Sequence, residues 1–308
     1  MEESLKQTSK NVSRSMDLFT AQHIETSEAT IFARVGGSGP PLLLLHGFPE
    51  THHMWRKLAP LLTQKFTIVM ADLRGYGESS CPPSTEDHSP YSKRIMAKDM
   101  IEAMRQLGFS QFSVMGHDRG ARVAYRMALD YPEVIQHLIV CDVVPTDIAW
   151  QKADARMMLD FWPWSMLTQP APLPEHILEA NAADIVNNAC DNWDSSPETF
   201  LPEDRRTYIL ALSDPRHAHA ICEEYRAAAT IDREHDQTDR QVERIITCPV
   251  LVLWGAEGAV DTWYKSEGGP LTLWRTVAPK SVGEAVPGGH FFPEEIPEKL
   301  YEKLTIFL

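Results

Sequence analysis

The spacing of apolar positions along the chain changes several times, and each change marks an element. "ATIFARV", residues 29–35, reads as an early strand. "PPLLLLHGFPE", residues 40–50, is a continuous apolar run stopped by Gly and Pro, which predicts a buried strand and then a turn. "KFTIVMADLRGYGESS" repeats that pattern, with the strand ending near Ala71 and a glycine-rich loop behind it. Between residues 92 and 107 the period lengthens: Ile95, Met96, Met100, Ile101, Met104 and Leu107 fall on one face of a helix. "FSVMGHDRGARVAYRMALDYP" joins a short strand, a tight turn and a helix. "HLIVCDVVP" and "CPVLVLWG" are further strands, and Ile296, Leu300, Leu304 and Leu308 mark a final helix. Strands alternating with helices predict an α/β fold, a mostly parallel sheet with helices on both faces.

The alternation breaks between about residue 146 and residue 238. This stretch is rich in Trp, Met, Pro and Ala, with helical pieces such as Asp204–Leu212 and His219–Ala229. It predicts a helical cap inserted over the C-terminal edge of the sheet. The expected organisation is a loosely attached N-terminus (1–20), a core from 21–145 and 239–308, and a cap from 146–238.

Composition narrows the partners. With 43% hydrophobic residues in 308, the chain can fill a large core. A net charge of −14 argues against nucleic acid, whose phosphates need clustered Lys and Arg, and means that an anionic ligand must be held by local cations. The five cysteines are scattered and form no CxxC pair, which fits a reducing compartment better than a disulfide framework or a zinc site. The first twenty residues lack the apolar centre of a signal peptide, and no stretch approaches a membrane span, so a cytoplasmic, membrane-free protein is expected.

The chemistry centres on "MGHDRGARVA", residues 115–124. Gly116-x-Asp118-x-Gly120 has the spacing of a nucleophile elbow, with a carboxylate where many hydrolases carry serine. The pentapeptide alone says little, and Asp at such a turn commonly serves as a helix N-cap. Its company says more. "HGFPE" follows an apolar strand, and its Phe48 backbone N–H together with that of Arg119 could form an oxyanion hole. "PGGHFFPEE" places His290 before the final helix as a candidate base. Its orienting acid could be Asp142, at the end of "LIVCD", or Glu257 or Asp261 after "LVLWG"; spacing does not choose. The paired histidines His52 and His53 have no companion cluster for a metal, and no organic cofactor is implied.

A carboxylate is ionised at neutral pH and can attack without a base. Its natural target is a saturated carbon bearing a leaving group, as in carbon–halogen compounds or epoxides. The base is needed afterwards, to drive water onto the resulting ester. Arg119 and Arg122 lie beside the nucleophile, where two guanidiniums would be costly unless paired. A substrate carboxylate is one partner for them, and protein acids such as Glu50 or Asp142 are the other.

"HGFPETHHMW", "DLRGYGES", "GHDRGARVAYRMALDYP", "QPAPLPE", "CEEYRAAA" and "GGHFFPEE" together resemble the fluoroacetate (haloacetate) dehalogenases of the α/β-hydrolase superfamily, from about residue 25 to the end. The resemblance implies Asp118 as nucleophile, His290 as base, Asp142 as its acid, Arg119 and Arg122 as the carboxylate clamp, and Trp164 and Tyr225 as halide donors. It also allows a homodimer. One position departs. Fluoroacetate-cleaving members carry a histidine before the tryptophan, and this chain has Pro163. Losing a charge-assisted donor would cost about 1.5–3 kcal/mol, or one to two decades in rate. Chloride and bromide are therefore expected to leave well and fluoride poorly. An epoxide hydrolase using the same triad is the alternative, and a non-catalytic receptor with a vestigial site a third reading.

Overall fold

The computed structural model describes residues 16–308. Eight strands form one sheet: β1 (Thr20–Glu25), β2 (Thr30–Gly37), β3 (Pro41–Leu45), β4 (Thr67–Ala71), β5 (Phe112–His117), β6 (Ile135–Cys141), β7 (Val250–Gly255) and β8 (Val282–Val286). Their order is β1-β2-β4-β3-β5-β6-β7-β8. The β1–β2 and β2–β4 pairs are antiparallel, and every pair from β4–β3 onward is parallel.

The unbroken leucine run of β3 follows from burial on both faces. Leu43 and Leu45 join the apolar cluster under helices Lys93–Gln106 and Arg119–Asp130. Leu42 and Leu44 point to the opposite cluster, with Trp55, Leu58, Leu300 and Leu304. The inner strands are therefore continuous hydrophobic segments, whereas the outer ones are not. β1 buries only Ile24 of its six residues, and β8 buries only Val286.

Between β6 and β7 the chain makes a run of helices from Thr146 to Gln241. The last of them, Ile231–Gln241, continues past residue 238. Buried ion pairs fasten this insertion to the core: Arg56 to Asp204, Arg119 to Glu224, Lys93 to Asp232 and Arg126 to Asp236.

The expectation of a loose segment over residues 1–20 divides here. Residues 1–15 lie outside the described residues. From Met16 the chain is built into the fold, because Phe19 is buried against Leu42 and its neighbours and Thr20 opens β1. No helix among the described residues is long and apolar enough to cross a membrane.

Candidate active site

β5 delivers Asp118 to the point where the chain turns into helix Arg119–Asp130. Asp118 has φ 44° and ψ −113°, a conformation that side chains seldom adopt and that costs on the order of 1–3 kcal/mol. Close backbone packing enforces it. A Cβ on Gly120 would lie 2.4 Å from the Leu45 carbonyl oxygen, so the first turn of the helix rests directly on the end of β3. Although Asp118 occupies the N-cap position, its side chain makes no capping bond. Its Oδ2 instead accepts from the Phe48 N–H at 3.1 Å. Gly47 permits that approach, since a Cβ there would sit 2.6 Å from the Asp118 Cβ. The Arg119 N–H opens the helix, where amides have no intrahelical acceptor.

His290 reaches the same place from the loop after β8. Its Nδ1 is 2.7 Å from Asp142 Oδ2, and its Nε2 is buried without a protein partner. Asp142 is locked in turn, because its Oδ1 accepts from the Gly255 N–H at 3.0 Å. The other two candidate acids are elsewhere: Asp261 accepts from Trp254 Nε1 at 2.8 Å, and Glu257 lines the cavity without a bond to His290. Geometry thus resolves a choice that spacing left open.

Burial alone would push the Asp118 carboxyl up. The neighbouring His290, Arg119, His117 and Arg122 outweigh it and hold the group below its ordinary value. Asp118 is accordingly an anion at neutral pH.

The two arginines have different environments. The Arg119 guanidinium forms a fork on Glu224, with Nε 2.9 Å and Nη2 2.6 Å from Oε1, and Lys93 approaches the same carboxylate. The protein acid that pairs with it is therefore neither Glu50 nor Asp142. Only its Nη1 lacks a partner. Arg122 makes no ion pair among the described residues. Its Nη1 donates to the Val144 carbonyl and Thr146 Oγ1, both at 3.1 Å, and its Nε is unpartnered. Burial and the neighbouring Arg119 charge both lower its pKa.

A cavity of about 300 Å³ is lined by Asp118, Arg122, Asp142, Trp164, Trp193 and His290 among others, whereas Arg119 and Tyr225 are not among its lining residues. The Trp164 ring lies 4.8 Å from the Arg122 guanidinium carbon, and the Tyr225 ring 3.9 Å from that of Arg119. The Tyr225 hydroxyl is buried without a partner. Pro163 is the first residue of a short helix, Pro163–Met166, a position that suits its fixed φ and missing N–H. Trp164 follows it into the cavity wall, and the residue before it carries no side-chain donor.

Glu224, Phe161 and Trp193 were not foreseen. Phe161 and Trp193 pack on His290 with ring centroids at 5.3 and 5.6 Å, forming an apolar wall around the imidazole. The one available signal for Glu224 was an acidic residue beside Tyr225 in "CEEYRAAA".

The sequence pattern of the alpha/beta hydrolase fold family matches residues 40–295. A fluoroacetate dehalogenase from Burkholderia sp is 40% identical over 291 residues, covering 94% of each chain. The chain belongs to the haloacetate dehalogenase family of α/β hydrolases. This α/β hydrolase is also 30% identical over 275 residues to a soluble epoxide hydrolase from Corynebacterium sp. (strain C12), covering 85% of this chain and 87% of that one. A solved structure of a Nostoc sp PCC 7120 protein assigned to the α/β hydrolases superposes with a TM-score of 0.91 at 44% identity, covering 95% of this chain and 98% of that one. The resemblance read from the motifs is borne out at the level of family and of enzyme class, a hydrolase.

Proposed function

We propose that this hydrolase removes halide from short 2-haloacids, with haloacetate giving glycolate. The observation that carries the reading is Arg122: a buried guanidinium that makes no ion pair among the described residues and faces the same cavity as the ionised Asp118. An uncompensated buried charge is costly, and a bound carboxylate satisfies it. The free Nη1 of Arg119 adds a second donor.

In the first step an Asp118 oxygen attacks the halogen-bearing carbon in line, and the halide departs toward Trp164 and Tyr225. Phe48 already holds Oδ2, so Oδ1 is the attacking oxygen and Oδ2 becomes the ester carbonyl. In the second step His290 Nε2 takes a proton from water, and the hydroxide adds to the Asp118 carboxyl carbon. Asp142 keeps the proton on Nδ1 and steadies the imidazolium. The Phe48 and Arg119 amides hold the oxyanion. Collapse expels the hydroxyacid, whose alkoxide takes the proton from His290, and Asp118 releases the remaining water proton to solvent to return to its anion. With proline at 163, chloride and bromide leave faster than fluoride.

The test is halide release from chloro-, bromo- and fluoroacetate beside Asp118→Asn. The expected result is turnover of the first two, fluoride slower by about one to two decades, and none with Asp118→Asn. His290→Ala should accumulate a protein adduct one carboxymethyl group heavier. Diol formation from a styrene oxide without halide release would identify an epoxide hydrolase instead, and binding of either ligand without turnover would identify a receptor. Fluoroacetate turned over as fast as chloroacetate would refute the halide preference.

A further inference from the structure

A second polar cluster lies on the seam between the insertion and the loop that follows β4, and none of its members lines the catalytic cavity. Glu175, His219 and Glu223 each place a ligand atom within 4.8 Å of the others. His88 joins from the core side, its Nδ1 2.8 Å from Glu223 Oε2. His219 Nδ1 lies 3.4 Å from Glu175 Oε1, and its Nε2 lies 2.9 Å from Ser84 Oγ.

Charge balance is incomplete here. Arg226 Nη1 touches Oε1 of both Glu175 and Glu223 at 2.7 Å, so one guanidinium faces two carboxylates. With both imidazoles neutral, one negative charge is left over. Glu175 is 5% exposed, and its Oε2 is buried with no hydrogen-bond partner. A buried carboxylate oxygen in that state has lost its hydration without a replacement donor. His88 is held at φ 60°, a conformation uncommon for a residue other than glycine. An ion-pair network centred on Arg226 leaves that oxygen without a partner, and an imidazole lies against each carboxylate, His219 at Glu175 and His88 at Glu223.

We propose that His88, Glu175, His219 and Glu223 form a site for a divalent cation of borderline softness. Two imidazoles and two carboxylates are a donor set suited to Zn²⁺ and poorly matched to Mg²⁺ or Ca²⁺, which favour all-oxygen shells. An open groove of about 540 Å³, lined in part by Ser84, His88 and Glu223, gives the ion access from solvent. The bound ion would tie the loop carrying His88 to helices Leu173–Asn192 and Pro215–Ala229, joining core and insertion.

The experiment uses the full chain after chelator treatment, titrated with zinc chloride by calorimetry and followed by thermal unfolding. One Zn²⁺ per chain is expected to bind and raise Tm, with magnesium chloride producing neither effect. His219→Ala removes a ligand whose side chain is 44% exposed, so the fold tolerates it. This variant should bind Zn²⁺ at least about tenfold more weakly, the smaller loss seen when even an outer-shell partner is removed, and should lose the Tm rise. Its halide release without metal should match the parent's. Equal zinc affinity in parent and His219→Ala, or no binding by the parent, overturns the proposal. Because the readout is binding, its outcome is independent of the substrate assignment.

Discussion

Arg122 and Arg119 show how little residue type says about role. Both are arginines three positions apart on one helix, both are buried, and yet only Arg119 is neutralised by a protein carboxylate. Removing Arg122's charge should therefore weaken substrate capture. For Arg122→Gln, KM for chloroacetate is expected to rise by about one to two decades, the 1.5–3 kcal/mol of a charged hydrogen bond. Alkylation of Asp118 by a neutral haloalkane should change little. Steady-state kinetics on both substrates check this, and an unchanged KM for the acid would separate Arg122 from carboxylate binding. At this scale the sequence was partly legible. The order of Asp118, Asp142 and His290 along the chain pointed to three side chains that line one cavity in the structure. The ownership of Arg119 could not be read, because Glu224 lies 105 residues away and only folding sets it beside the helix.

At the scale of elements, the elbow depends on how tightly helix Arg119–Asp130 meets β3. A side chain at Gly120 would collide with backbone that cannot rotate away, at 2.4 Å from one carbonyl and 2.5 Å from the next. Gly120→Ala should lower stability by at least about 1–3 kcal/mol, the usual range for overpacking, and slow turnover by displacing Asp118. Urea unfolding with single-turnover kinetics measures both. A variant as stable and as active as the parent would show that the contact can relax. The inner strands were readable because they are buried on both faces and so form unbroken apolar runs. β1 and β8 were not, because edge strands with a single buried side chain have neither a continuous run nor a clear alternation. The helical insertion was recognisable as an interruption, but its end at Gln241 was not, since helix Ile231–Gln241 is mostly polar.

At the scale of the whole molecule, buried ion pairs join insertion to core, and Arg119–Glu224 lies nearest the reacting groups. Burial would raise the Glu224 carboxyl, but Arg119 and Lys93 prevail and hold it below its ordinary value of 4.5. A carboxyl whose folded pKa is depressed contributes stability that is complete above the unfolded value and is lost as pH falls through the folded one. This contribution should therefore be intact at neutral pH and decline below about pH 4.5, a window that acid unfolding monitored by circular dichroism reveals. Glu224→Gln leaves Arg119 charged and buried, and should cost about 3–5 kcal/mol at neutral pH. The double variant with Arg119→Met should recover part of that loss, since two mutually dependent groups are non-additive. If the double variant loses as much as Glu224→Gln and Arg119→Met lose singly when added together, the pair contributes no coupling.

The bare charge on Arg122 also bears on how the protein behaves in a test tube. On the proposed assignment a small carboxylate in the medium would dock against that guanidinium, with acetate buffer mimicking the reactant and glycolate slowing its own formation. Such anions stabilise the folded chain in proportion to the logarithm of their concentration. Melting temperatures and turnover rates taken in acetate and in a buffer of bulky sulfonates should then disagree in opposite senses, with the slower solution being the more heat-resistant one.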